Sequence, residues 1–288
     1  MNYGEMNTSN PGGALMTDSS LDSNDDIILK RYRYLKNQLV NVIADKENLL
    51  KHRFFDLKTD YITMIGYLEY ELYNINVRLG ITKRKIELLQ ANKINKATRK
   101  LPYIEAVIKI EFKDLLEILD LKKREVEIAS YLNAFEDITF EEFLELNKYF
   151  RSLIKLIHPY INPNANQIQK RLWEKGCIAY ENKEVVFLKV ILKLAKDEVC
   201  AAKDPGDYSI EELNSMIHNF EQKISATNIE VQEILKNFPF NMEELLMDDR
   251  KISDIQKKLQ NQIKEAKSVL IIMEDHFLMI LDDTKYLN

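Results

Sequence analysis

The sequence predicts an all-α protein: long antiparallel helices forming a coiled-coil-like stalk, with a helical hairpin inserted in it. Three observations predict this. Gly 7 and Pro 6 are few for 288 residues, so a sheet of many short strands would lack its turn-formers. Apolar residues recur at three, four and seven over long stretches, which is the helical period. Thr-x-x-Glu, Ser-x-x-Glu and Asn-x-x-Glu pairs stand where new apolar runs begin, as helix N-termini require.

Residues 1–26 hold Gly4, Pro11, Gly12 and Gly13 among Asn, Ser, Thr and Asp. Apolar residues there are sparse and without period, so a disordered tail is expected. Residues 27–135 form the first part of the stalk. In it Leu35, Leu39, Val42, Ile43, Leu49 and Leu50 make one stripe, and Tyr61, Ile65, Leu68, Leu72, Ile75 and Leu79 continue it, followed by Ile86 and Leu89. One helix over 27–95 fits, and so do two with a tight turn near Lys51 to Thr59. Gly66 and Gly80 weaken a helix by about 1 kcal/mol each without requiring a break. An antiparallel hairpin is favoured over a parallel pair, since no strict heptad lasts four repeats. Pro102 suits the first turn of a further helix, which carries Ile104, Val107, Ile108, Leu115, Ile118, Leu119 and Val126 to about Leu132.

The inserted unit is expected at 136–202. Thr139 and Glu142 cap its first helix, which runs to about Ile157. His158-Pro159-Tyr160-Ile161-Asn162-Pro163-Asn164 follows, and two prolines in seven residues stop a helix. The next helix can begin at Asn164 or Asn166 and carries Ile168, Leu172, Trp173, Ala179 and Tyr180. Another covers Glu184 to about Ala201. Residues 203–288 form the second part of the stalk, opened by the linker Lys203-Asp204-Pro205-Gly206-Asp207. Ser209 and Glu212 cap a helix to about Lys236. Phe238-Pro239-Phe240-Asn241 makes a corner, and Asn241 with Glu244 caps a last helix from Met242 to about Tyr286.

The net charge of −5 argues against a strong generic nucleic-acid binder, although a local patch remains open. The segment from Arg78 to Lys100 is such a patch. It carries Arg78, Lys83, Arg84, Lys85, Lys93, Lys96, Arg99 and Lys100 against Glu87 alone. It reads as a phosphate-binding face, or as a solvated helix face paired with the acidic Glu111 to Asp120 region. It lacks the aromatic platform or glycine-rich motif of a common reader module, so nucleic acid is the disfavoured partner.

Cys177 and Cys200 are too few for a disulfide framework and lack the company of a zinc site. Small apolar core side chains are the expectation. No cofactor or metal site is expected. His52, His218 and His276 form no paired-ligand spacing, and no P-loop, dinucleotide fingerprint or nucleophile elbow is present. The N-terminus lacks the charge and apolar run of a signal peptide, and no stretch approaches the apolar length of a membrane span. A cytoplasmic, non-enzymatic protein is therefore expected.

One constellation is distinctive. Phe150-Arg151-Ser152-Leu153-Ile154-Lys155-Leu156-Ile157-His158-Pro159 resembles the second helix and loop of a J-domain, the co-chaperone module that stimulates a chaperone ATPase. Trp173 and Ala179-Tyr180-Glu181 resemble the aromatic and the Ala-Tyr pair of its third helix. The stretches Tyr67 to Leu72, Lys83 to Ala91 and Phe238 to Asn241 extend the likeness to a family of uncharacterised bacterial helical proteins with an embedded J-domain-like segment. The segment is degenerate: Tyr160 stands where a J-domain has Asp, and Gly176 stands where the third helix offers an apolar core residue. The usual first helix is not recognisable before Thr139.

The resemblance implies a partner-binding surface at Lys148, Arg151, Lys155, His158, Pro159 and Tyr160. The three basic residues share one helical stripe through their spacing of three and four. They read as a docking face for an acidic surface or as a solvated face. His158 reads as a brace for the hairpin, as a remnant partner contact or, least of all, as a base or metal ligand. The favoured function is a chaperone-related interaction or scaffold protein with an unidentified protein partner. The alternatives are a functional co-chaperone of a chaperone ATPase and a nucleic-acid binder using 78–100. A homodimer through the long helices is compatible with the pattern.

Overall fold

The computed structural model describes residues 24–91, 101–133, 138–199 and 205–285. Nearly all of them are helical, and no strand occurs among them. The tail at 1–23, residues 92–100 of the basic segment, Cys200 and the start of the 203–207 linker lie outside the described residues. Asn24 to Asp26, expected in the tail, already belong to the first helix.

The first helix, α1, is continuous from Asn24 to Ala91. Its segments Asn24–Asn48, Phe54–Tyr61 and Tyr67–Ala91 are joined by two π-helical turns, Leu49–Arg53 and Ile62–Gly66. One long helix therefore replaces the two-helix alternative. At 1.5 Å per residue it spans about 100 Å. Each π turn adds a residue to a turn and so rotates the apolar stripe without ending the helix. The first overlaps the beginning of the Lys51 to Thr59 stretch, the place of the alternative tight turn.

Helix α2 (Leu101–Glu111) and helix α3 (Lys113–Leu132) return along α1. Phe112 separates them with φ −102° and ψ 10°. Helical hydrogen bonding still crosses the joint, with Phe112 N donating to Ile108 O at 2.9 Å and Leu116 N to Phe112 O at 2.9 Å. Gly80 makes room for the Phe112 ring: a Cβ there would lie 3.3 Å from Phe112 Cε1.

Helix α4 (Phe140–Ile157) prolongs the return. Arg84 pairs with Glu111, Lys122 lies over Tyr73, Lys58 pairs with Glu125, His52 meets Phe143 and Asp45 pairs with Arg151. As one residue number falls the other rises, which defines an antiparallel run. Helix α5 (Gln167–Glu181) and helix α6 (Val185–Val199) then pack beside α4.

The chain next climbs a second time. Helix α7 (Ile210–Leu235), the short α8 (Glu243–Leu246) and α9 (Asp249–Lys285) follow α1 in its own direction. Arg31 pairs with Glu221, Lys46 with Glu230, Arg53 with Glu243, Glu71 with Lys267 and Arg78 with Glu274. Both numbers rise together, so this pairing is parallel. The long helices are therefore not all antiparallel to one another: the two outer stretches run parallel. The chain goes up, down and up, and in such a path the first and third runs must point the same way. The antiparallel partner of α1 is the middle run, 101–157.

The last helix also begins later than expected. Phe240–Met242 is a 3-10 turn and α8 a single turn. The start of α9 is marked by Asp248, whose Oδ1 accepts from Arg250 N and Lys251 N at 3.1 Å each, rather than by Asn241. Two other expected helix starts hold, while the helix expected over 102–132 is divided at Phe112. Thr139 with Glu142 and Ser209 with Glu212 form complete capping boxes. At α5 the cap is Asn166 with Gln169.

Packing differs along the length. Towards the start of α1, one broad core joins α1, α4, α5, α6 and α7 through Leu39, Ile43, Phe150, Ile154, Tyr180, Leu188, Ile191, Ile217 and Phe220. Further along, Leu68 and Ile75 of α1 meet Ile263 and Leu270 of α9 in a slender seam. At the far end Leu89, Ile104 and Ile108 pack with Phe277, Ile280 and Leu281. Helices α4, α5 and α6 thus share their core with α1 and α7. No helix among the described residues is long and apolar enough to cross a membrane.

Candidate functional site

The α4–α5 hairpin is built from its aromatic residues outward. Phe150 of α4 stacks on Tyr180 of α5 at 3.8 Å between ring centroids and on Trp173 at 5.7 Å. Tyr180 is fully buried, and its hydroxyl donates to Asn147 Oδ1 at 2.8 Å. Asn147 in turn donates to Phe143 O at 2.8 Å. Burial pushes the Tyr180 phenol well above its ordinary value, so it stays a neutral donor. His52, from the first π turn of α1, sets its ring edge-on to Tyr180 at 4.5 Å and to Phe143 at 5.6 Å.

Gly176 lets the two helices approach. A Cβ there would stand 2.2 Å from Leu153 Cδ2, so the missing side chain is a packing requirement of this hairpin. The contact carries out in reverse the role of an apolar residue at that position: Leu153 of α4 fills the space itself.

The His158 loop is tightly braced. His158 ends α4 in an extended conformation, as a residue before proline prefers. Its N–H donates to Ile154 O at 3.1 Å, and its carbonyl accepts from Ile161 N at 2.9 Å and Asn162 N at 2.8 Å. Its Nδ1 accepts from Tyr160 N at 3.0 Å, and the ring stands edge-on to Trp173 at 4.7 Å and to Tyr160 at 5.0 Å. Burial, and then the Lys46 charge, push the imidazole down to about 4. It is therefore neutral at pH 7, as an acceptor at Nδ1 must be.

The remaining residues expected to bind a partner are spread over three environments. Lys148 and Lys155 are exposed on α4. Arg151, between them, pairs with Asp45 of α1 at 2.9 Å. Pro159 is exposed; Tyr160 is partly so, with Lys223 of α7 over its ring at 4.5 Å to the centroid. His158 lies beneath this surface. The structure thus brings Lys148, Lys155, Pro159 and Tyr160 to the outside of one hairpin and turns His158 inward.

Three residues of this neighbourhood carry no local signal in the sequence: Lys36, Asp45 and Lys223. They stand on helices far away along the chain, and only packing brings them here. Lys36 is half-buried, and burial and then the Lys155 charge hold its amine below the ordinary lysine value.

In the basic segment, Arg78 pairs with Glu274, Arg84 bonds Glu111 at 2.8 and 2.9 Å and Glu87 at 3.2 Å, and Lys85 lies over Phe277. Arg84 therefore meets the acidic region that the solvated-face reading assigned to it. Lys93, Lys96, Arg99 and Lys100 lie outside the described residues. Cys177 is half-buried, and burial, then Glu47, push its thiol up to about 12, which keeps it protonated and weakly nucleophilic.

Fold and site together define a class: an all-α protein in which a long helix is flanked by one antiparallel and one parallel run, with a braced His-Pro-Tyr hairpin on its broad end. Compared with known proteins, the chain matches no family model, no curated protein and no solved structure.

Proposed function

We propose that this chain is an interaction protein, chaperone-related in the sense of its J-domain-like hairpin, whose outer α4 face docks an acidic partner surface. The observation that carries this reading is the placing of Lys148 and Lys155, both exposed, on one stripe of the α4–α5 hairpin. Like charges held together disfavour one another, and a carboxylate-bearing partner relieves that repulsion. The loop beside them is preorganised by the His158 hydrogen bonds, so docking there loses little conformational entropy.

The hairpin lacks the carboxylate of a J-domain at position 160, and Tyr160 spends its ring on Lys223. This favours a scaffold or adaptor over an active stimulator of a chaperone ATPase. The test is affinity capture from the native cell extract with the full chain and with Lys148→Glu/Lys155→Glu. A specific partner lost on charge reversal supports the proposal. No specific partner, or one retained equally by the variant, overturns it. A rise in chaperone ATPase turnover that disappears with His158→Gln would replace it by the co-chaperone reading.

A further inference from the structure

Helix α3 is thinly packed. Of its apolar side chains only Ala129 is buried. On the side away from α1, Ile110 at the end of α2 and Leu121, Ile128 and Tyr131 on α3 are 77%, 60%, 57% and 64% exposed. With Val107, Asp114, Glu117 and Arg124 they form an unbroken series spaced alternately by three and four: 107, 110, 114, 117, 121, 124, 128, 131. That is the spacing of a coiled-coil seam, here facing solvent. A surface stripe of this kind is a mark of an interaction site.

The stripe is complementary to itself when reversed. Laid antiparallel on a second copy about a two-fold axis near residue 119, Ile110 meets Ile128 of the other copy and Val107 meets Tyr131. In the same register Asp114 meets Arg124, and Leu121 meets the alkyl part of Glu117. On one flank Lys113 faces Glu127, and Asp120, which pairs with Arg124 of its own helix, meets its own copy at the axis. Each match between different positions occurs twice, as a two-fold interface demands. A parallel copy would instead set Asp114 against Asp114, Glu117 against Glu117 and Arg124 against Arg124. At the seam positions the charge order therefore favours an antiparallel second copy over a parallel one, and the like-charged flank pair Glu111 and Glu125 is already neutralised by Arg84 and Lys58 of α1.

We infer that the outer face of α2–α3 is a homodimer interface, in which α3 of one chain packs antiparallel on α3 of a second copy. The two broad ends, each with its His158 loop, then point in opposite directions. This interface is separate from the α4 face, so either proposal can fail alone.

The experiment is sedimentation equilibrium on the full chain across a concentration series. The expected species is a dimer of about twice the 33.9 kDa chain mass. Leu121→Asp/Ile128→Asp is expected to raise the dimer Kd by about 100-fold or more. Its thermal transition extrapolated to low concentration should match that of the wild type, because both side chains are exposed. Asp114→Arg alone is expected to weaken the dimer by setting two arginines against each other, and Asp114→Arg/Arg124→Asp to restore it. A wild-type monomer at high concentration overturns the inference. A dimer indifferent to Leu121→Asp/Ile128→Asp, or one that Asp114→Arg leaves unchanged, overturns it equally.

Discussion

Leu153 of α4 occupies the space that a side chain at position 176 of α5 would need: a Cβ on Gly176 would lie 2.2 Å from Leu153 Cδ2. Leu153 is fully buried, so it has nowhere to retreat. Gly176→Ala gains about 1 kcal/mol of helix propensity but overpacks the core, which costs about 1–3 kcal/mol. The expected result is a net loss of stability in urea unfolding. In a Leu153→Val background, where the Cδ atoms are gone, the sign should reverse and Gly176→Ala should stabilise. Failure to reverse would show that the clash is not the cause.

His158 makes stability depend on pH. Its folded value near 4 lies below the ordinary 6.5, so the unfolded chain takes the proton first. The contribution is full above pH 6.5 and is lost as pH falls towards 4. The loss is on the order of 3 kcal/mol. His158→Gln should flatten this part of the curve relative to the wild type. Parallel curves for the two proteins between pH 7 and 4 would remove His158 as the titrating group.

Tyr180→Phe removes the hydroxyl that donates to Asn147 Oδ1 at 2.8 Å while keeping the stack on Phe150. The expected loss is about 1–2 kcal/mol, since a buried acceptor loses its donor. Adding Asn147→Ala should then cost less than Asn147→Ala does alone, because the two side chains act as a pair. Full additivity in the double-mutant cycle would contradict the bond.

The parallel run gives a crosslinking prediction. Cysteine pairs placed by Glu71→Cys/Lys267→Cys and by Arg78→Cys/Glu274→Cys should both bridge within one chain with a short bifunctional maleimide. An antiparallel arrangement could satisfy one of these pairs but not both.

Lys148→Glu/Lys155→Glu, the variant that tests partner binding, should leave stability within about 0.5 kcal/mol of wild type. Both side chains are exposed. A large fall in the melting temperature would mean that they hold the hairpin itself.

Much of this architecture was legible locally. The period of the apolar residues marked the helices. Thr139 with Glu142 and Ser209 with Glu212 marked two starts, because a capping box is made entirely within four residues. Pro159 and Pro163 marked the loop after α4 for the same reason: proline acts on its own and its neighbour's backbone. Where local chemistry offered two equivalent solutions the outcome needed the fold. Both Asn164 and Asn166 could cap α5, and only the second forms the box. Asn241 looked like the cap of the last helix, yet Asp248 takes that place.

The sequence by itself determined that this chain is helical, where most helices start and stop, and that a loop with His158 lies between two of them. Only the tertiary structure decided the direction of the runs, the inward turn of His158, the pairing of Arg151 with Asp45 and the seat of Lys223 over Tyr160. The physical reason is range. Helix formation and capping act over three to five residues, whereas an apolar stripe specifies that it must be covered without specifying by which partner or in which direction.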